Sequence, residues 1–182
     1  MKLTLLISDM HGKAGNIEYL SLWGKWLAQH GRASKIIWVD QLLPEIYAPL
    51  QQEAIDNLHG NITSEAAIST ARSRLADHIR LENPDAVIGC SYGGYLAALA
   101  RDAMAAQAKL ICLSSTRLRY LLPIATPCKV HAIFGEKDPF RPKDDIPQSD
   151  LYYSIACIAG ADHEFYRQPS SCGEILKDIL ES

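Results

Sequence analysis

Short runs of aliphatic and β-branched residues alternate along the chain with longer stretches whose apolar positions return every three or four residues. The first kind has the length of a strand and the second the period of a helix. Leu3–Ser8 opens the series as a strand. Ile17, Leu20, Gly24 and Leu27 follow on one face of a helix that ends near His30-Gly31. Lys35–Asp40 reads as the second strand. Ile68, Ala71, Leu75 and Ile79 mark a second helix, which stops before Asn83-Pro84 because the residue before proline avoids the helical region. Asp85–Cys90 is a third strand, and the Ala-rich run Tyr92–Ala106 a helix. Lys109–Leu113 and Lys129–Phe134 are further strands, and Tyr153–Ile158 is the last. Ser171-Cys172-Gly173-Glu174 has capping-box spacing, and Ile175, Leu176, Ile179 and Leu180 supply the stripe of a C-terminal helix. Between Asp40 and Ile62 no period is clear. With Pro44 and Pro49 inside it, that stretch reads as a loop with a short helix over one end of the sheet.

Strand and helix in alternation predict βαβ units: an α/β protein, a three-layer α/β/α sandwich around a mainly parallel sheet. A chain of 182 residues can bury one core, and we read 1–182 as a single domain. Its apolar runs are strand-length and far from the roughly 20 residues of a membrane span. The segment Met1–Asp9 turns acidic too soon for a secretory signal. Lys and Arg number 18 against 21 Asp and Glu, so the net charge is −3, which speaks against a basic nucleic-acid face. No two of Cys90, Cys112, Cys128, Cys157 and Cys172 have CxxC spacing, so neither zinc nor thioredoxin-like chemistry is indicated. Cys112 and Cys157 fall in strand-like runs, where free cysteine acts as a small hydrophobe. A reducing cytoplasm is the simplest compartment.

Ligands of such sheets bind beyond the carboxyl ends of the strands. That directs attention to Asp9–Lys13, Ser91, Ser114–Tyr120, Asp138 and the segment around His163. Gly89-Cys90-Ser91-Tyr92-Gly93 fits G-x-S-x-G between a strand and a helix. A sharp turn there lifts the central hydroxyl off the sheet and sets helix N–H groups beside it. The competing reading is a glycine-rich turn that only packs the helix on the sheet. Serine needs a base to become a nucleophile. Of the two downstream histidines, His131 lies inside a strand and reads as structural. His163, in a loop after the last strand, can reach over Ser91. Gly135-Glu136-Lys137-Asp138-Pro139 closes the preceding strand and offers Asp138 as the carboxylate that orients the imidazole. Glu136 is its local rival. Asp162 reads as a shaper of the histidine loop, and Asp144, Asp145 and Asp150 as a solvated face.

Gly-x-Ser-x-Gly after a strand, Gly-x-x-Asp after a later one and Gly-x-Asp-His before the final helix together resemble the α/β-hydrolase family over nearly the whole chain. The resemblance implies a minimal α/β-hydrolase fold without a large cap domain. It also implies a Ser91–His163–Asp138 triad and an acyl-enzyme mechanism, with no metal or organic cofactor. The chain is short for that family, and its first strand corresponds to the one that usually comes third. Small cap-less bacterial esterases and thioesterase-like members are the most similar. In such enzymes one oxyanion donor is the N–H after the nucleophile, here Tyr92. The other follows the first core strand. A strand ending at Ser8 makes it Met10; alignment of His11-Gly12 with the family's His-Gly pair makes it Lys13. We favour Met10, because the Asp9-Met10 turn directly abuts the strand, and read His11 as a turn residue without a proton-transfer role.

The expected activity is that of a serine esterase acting on a small or carrier-bound acyl group. A thioesterase on acyl-CoA or an acyl carrier is the alternative, and a non-catalytic binding protein that kept the fold is the rival from another class. Arg117 and Arg119, beyond a strand end, could receive an acidic group of the substrate or carrier, against the plainer reading of a solvated loop. Within the insertion Gln41–Asn61, Leu42, Leu43, Ile46, Tyr47 and Leu50 are expected to form a small flap or a short helix lining the acyl site. Cys90 should point into the packing, and Trp23 and Trp26 read as packing residues. Small-molecule esters or thioesters, free or carrier-bound, are the expected partners, with neither nucleic acid nor membrane.

Overall fold

The computed structural model describes residues 1–48, 55–121, 128, 130–142 and 152–182. Its centre is a six-stranded sheet, all parallel, built from β1 (Lys2–Ile7), β2 (Arg32–Ile37), β3 (Ala86–Cys90), β4 (Lys109–Leu113), β5 (Val130–Gly135) and β6 (Tyr152–Ile158), in the spatial order β2-β1-β3-β4-β5-β6. The inner strands are near-continuous apolar runs because both faces of the sheet are covered. Successive side chains point to opposite faces. Leu5, Ile7, Val87, Leu110 and Phe134 pack beneath α4 (Ile55–Ile62), α5 (Glu65–Glu82) and α6 (Tyr92–Leu99). Leu6, Ile88, Ile111, Leu113 and Ile133 pack on the other side with α1 (Glu18–Gln29), a 3-10 turn at His163–Arg167 and α7 (Gly173–Glu181). This is the expected three-layer α/β/α architecture. Among the described residues no helix is long and apolar enough to cross a membrane.

Strand order reverses at β1. The chain moves from β1 outward to β2, then returns to place β3 on the other side, with Ile7 opposite Gly89. Such a reversal opens a crevice at the carboxyl ends of the two strands. The turn after β1 and the turn after β3 therefore lie side by side.

Several boundaries differ from those read along the chain. β2 begins at Arg32, not Lys35, because Arg32 is drawn inside: it is 7% exposed and its Nε donates to Thr4 Oγ1 at 2.8 Å. Residues 39 and 40, expected in that strand, belong instead to the short α2 (Val39–Leu42), followed by α3 (Pro44–Tyr47). α6 ends at Leu99 rather than running to Ala106. Arg101, buried just past its end, donates Nη1 to Ala98 O at 2.6 Å and takes up a carbonyl that a further helical turn would use. The C-terminal capping box does not form: Ser171 closes a 3-10 turn and Cys172 stands at the N-cap with no side-chain cap bond. Cys157 is exposed, because β6 is an edge strand, and its Sγ lies 2.8 Å from Arg141 Nη1.

His131 is structural, as its place in a strand implies. It is 4% exposed, and its Nδ1 lies 2.9 Å from Ser154 Oγ on the neighbouring strand. Burial, and secondarily the charge of Lys109, lowers its pKa to about 4. An unfolded histidine takes up a proton near pH ~6.5. Between those values only the unfolded chain binds it, so stability falls as pH drops through this window and levels off below it. Denaturant titrations at pH 7 and pH 5 should show wild type losing up to about 2 kcal/mol more than His131→Asn, which has no ionisation there. Equal losses in the two proteins would exclude this contribution.

Candidate active site

Ser91 sits at the tip of the turn between β3 and α6 with φ 49° and ψ −116°, a conformation costing a non-glycine residue roughly 1–3 kcal/mol. The surroundings hold it there. Ser91 N–H donates to Leu113 O at 2.7 Å, and Ser91 O accepts from Gly94 N–H at 3.2 Å. The turn is closed by glycine for want of space: a Cβ on Gly93 would stand 2.1 Å from Ser8 O, and one on Gly89 2.4 Å from Gly94 Cα. The spacing in G-x-S-x-G thus follows from a helix start pressed against two strand ends.

Asp138 follows β5 and His163 follows β6, so the order of strands in the sheet brings them toward Ser91 in sequence. His163 Nε2 lies 3.3 Å from Ser91 Oγ, and His163 Nδ1 lies 2.7 Å from Asp138 Oδ2. The Asp138 side chain is fully buried, and its Oδ1 accepts from Phe140 N–H at 2.9 Å. A carboxylate at Nδ1 favours the tautomer protonated there, which leaves the Nε2 lone pair directed at the serine hydroxyl. Ser114, after β4, donates Oγ to His163 O at 2.6 Å and fixes the loop. The rings of Phe140 and Tyr166 meet the imidazole edge-on at 6.0 and 6.2 Å.

The rival acids have other partners. Glu136 Oε2 accepts from Gly160 N–H at 2.7 Å, and Asp162 Oδ1 caps the turn by accepting from Glu164 N–H at 2.9 Å. Asp144, Asp145 and Asp150 lie outside the described residues. Cys90 is fully buried. Burial above all, with the Asp9 charge, pushes its thiol well up, so it remains protonated and unreactive. Trp23 is in the core, its Nε1–H donating to Tyr166 O at 2.7 Å, and Trp26 packs against it and the His30 ring.

After β1, Met10 borders the same cavity as Ser91 and Tyr92. Its N–H meets no acceptor among the described residues, whereas Lys13 N–H donates to Asp40 Oδ1 at 3.3 Å. His11 does not border the cavity; its N–H donates to Asp9 Oδ1 at 3.0 Å. Sequence reading missed what shapes this turn. Asp9, 3% exposed, accepts from Tyr166 OH at 3.1 Å through Oδ2, while its own N–H donates to Tyr19 OH at 2.9 Å. Tyr166 lies in the same 3-10 turn as His163, so one buried carboxylate ties the Met10 turn to the histidine loop. Burial first, then charge that includes Asp9, pushes both phenols well up, which keeps them as hydrogen-bond groups. Tyr47 OH donates to Met10 O and helps orient that peptide. No local motif marks these residues; Asp9 was singled out only by its position after β1, and Tyr47 only as part of the expected flap.

The cavity holds about 460 Å³, within the range of small-molecule sites. Arg117, Arg119 and Tyr120 form one side and Phe140 another, while His59 enters from α4, a contribution not foreseen. The described apolar residues of the expected flap, Leu42, Leu43, Ile46 and Tyr47, do not line it. Leu42 and Leu43 are fully buried in the core beneath α5, since the apolar face of α2 turns toward the sheet. Ile46 and Tyr47 pack against that core without bordering the cavity, and Leu50 lies outside the described residues. Among the described residues no three His, Cys, Asp or Glu side chains are grouped to hold a metal ion.

The chain has the α/β-hydrolase fold. No protein-family model and no curated protein matches its sequence. Solved structures do match. One is dienelactone hydrolase from Anabaena variabilis, with TM-score 0.66 and 17% identity over 100% of this chain and 86% of that one. Others are a thioesterase from the prodiginine pathway of Streptomyces coelicolor (TM-score 0.60, 11% identity, 99% and 89% covered) and an esterase domain from Rhodothermus marinus (0.58, 11%, 97% and 85%).

Proposed function

We propose that the protein is a serine hydrolase that cleaves carboxylic esters, and thioesters by the same chemistry, through an acyl-enzyme. One observation carries the reading: the hydrogen-bonded series from Ser91 Oγ through His163 to buried Asp138, at 3.3 and 2.7 Å. Ser91 Oγ attacks the carbonyl carbon while its proton passes to His163 Nε2. The carbonyl oxygen becomes an oxyanion that the N–H groups of Tyr92 and Met10 receive. Each such donor is worth about 2.7–4 kcal/mol in serine hydrolases. The imidazolium, held by Asp138, then protonates the departing alcohol or thiol as its bond to the carbonyl breaks. Water attacks the acyl-Ser91 ester, giving its proton to His163, and collapse of the second tetrahedral species releases the acid and restores the serine. Met10 is preferred to Lys13 as donor because the Lys13 N–H is already engaged by Asp40.

A fluorophosphonate probe separates this reading from a binding protein that has kept the fold. Labelling is expected at Ser91 in the folded protein and nowhere else. Absence of labelling, with the fold intact, would leave only the binding role.

Substrate size follows from the cavity. At about 460 Å³ it offers little surface to a long chain. Each methylene adds up to ~0.8 kcal/mol only while protein covers it. For p-nitrophenyl esters kcat/KM is expected to peak at short acyl chains and decline for long ones. A rise sustained through twelve carbons would require a tunnel and overturn the short-chain assignment.

A further inference from the structure

Arg117 borders the cavity that contains Ser91 and His163, and the steps above give it no task. Its guanidinium carbon stands 5.4 Å from the ring centroid of Tyr95 and 5.2 Å from that of Tyr120. Two tyrosine faces attract a cation and hold its plane. Yet Nε is buried without an acceptor, and among the described residues the group forms no ion pair or hydrogen bond. Other arginines behave differently. Arg119 donates Nε to Thr116 O at 3.0 Å and Nη2 to Phe140 O at 2.5 Å, bracing the loop. Arg101, at the end of α6 and away from the cavity, also has a buried Nε without an acceptor, but it anchors its guanidinium by donating Nη1 to Ala98 O. An arginine with a purely structural role finishes on acceptors in this way, because an unmatched, partly desolvated donor is costly.

The rest of the cavity agrees. Among the described residues that border it there is no Asp or Glu, whereas two arginines and two histidines do. In a chain of net charge −3, the two guanidiniums give this wall a positive charge that no carboxylate among the described lining residues offsets. The planar guanidinium suits a carboxylate, which two parallel N–H groups can hold at once. Arg119 spends Nε and one Nη on carbonyls, so Arg117 is the guanidinium whose N–H groups have no acceptor among the described residues and can take a carboxylate.

We propose that Arg117 is an anion subsite of the Ser91 cavity, and that the preferred substrates are esters bearing a free carboxylate a few bonds from the scissile carbonyl. This rests on the ester-hydrolase reading for the reaction but not for the binding. The probes are two matched pairs, each differing by a carboxylate in place of a methyl group, followed by pH-stat titration. Monomethyl glutarate against methyl valerate places the charge on the acyl side. 3-Acetoxypropanoate against propyl acetate places it on the alcohol side. In at least one pair the charged ester is expected to have a kcat/KM about ten- to hundredfold higher. That ratio should fall toward one in Arg117→Gln, and Arg117→Lys should recover part of it. A wild-type ratio at or below one in both pairs overturns the subsite, as does a ratio unchanged in Arg117→Gln.

Calorimetry on Ser91→Ala provides a readout without turnover and needs no folded Arg117 variant. Of the four esters, the charged member of the preferred pair should bind at least tenfold more tightly than its neutral partner. Equal binding in both pairs overturns the subsite. Selective binding to Ser91→Ala with no hydrolysis by wild type would instead sink the hydrolase reading and leave the subsite standing.

Discussion

Ser91→Ala is expected to lower kcat for ester hydrolysis by about 10⁶-fold and to abolish fluorophosphonate labelling. Loss of the nucleophile in a well-characterised serine protease costs about 2 × 10⁶. The large effect follows from the chemistry, since among the described residues no other hydroxyl is hydrogen-bonded to His163 Nε2, which Ser91 Oγ meets at 3.3 Å. Stability should change little. Alanine adopts the φ of 49° at the same cost as serine, and the backbone bonds to Leu113 and Gly94 that hold the turn do not involve the side chain. Single-turnover kinetics and thermal melts on the purified variant check both statements. Residual turnover above about 1% of wild type, with no contaminating esterase, would falsify the nucleophile assignment.

Asp138→Asn should be almost as damaging, with a loss on the order of 10⁴-fold in kcat, the size known for the same change in a serine protease triad. The buried side chain has two partners here, Phe140 N–H at Oδ1 and the histidine ring at Oδ2. An asparagine satisfies the Phe140 donor with its carbonyl and then aims its NH₂ at His163 Nδ1. That stabilises the tautomer protonated at Nε2, which faces Ser91 Oγ as a donor and cannot take its proton. The fold is expected to survive, because the volume is kept and both contacts remain. Stopped-flow acylation rates, with the melting temperature measured alongside, test this. A loss below tenfold would mean that another group orients the imidazole.

The wild-type pH profile bears on the same step. Since His163 must be neutral to accept the proton of Ser91, acylation should fall on acidification in wild type. The decline would occur in folded protein, distinct from the stability loss assigned to His131.

Much of this site is legible along the chain because each member has a local cause. A strand followed at once by a helix requires glycines around Ser91, where Gly93 nearly touches Ser8 O. Asp138 and His163 stand in polar loops directly after apolar strands, a pattern that period and composition display. Alternation of short apolar runs with amphipathic ones dictates a parallel sheet covered on both faces, and Leu5 and Leu6 divide between those faces as the period of two requires. Cys90, on the strand side of the elbow, had to be buried for the same reason.

What depended on tertiary structure involves partners far apart in sequence. The start of β2 is set by Arg32 reaching Thr4, and the end of α6 by a buried Arg101, where local pattern continued smoothly. The choice between Met10 and Lys13 turns on Asp40, a residue of α2 that the sequence pattern placed in a strand. Leu42 and Leu43 had the composition of a flap, but burial beneath α5 outweighed it, while His59 arrived at the cavity from a helix with no motif. Asp9 and Tyr166 are 157 positions apart and meet only because β1 lies beside β3 and the histidine loop folds over both ends. Local sequence determines which segments are strands, helices and turns, since backbone sterics and apolar period act over a few residues. Which turn faces which, and which guanidinium is left without acceptors at the cavity, is decided by long-range packing.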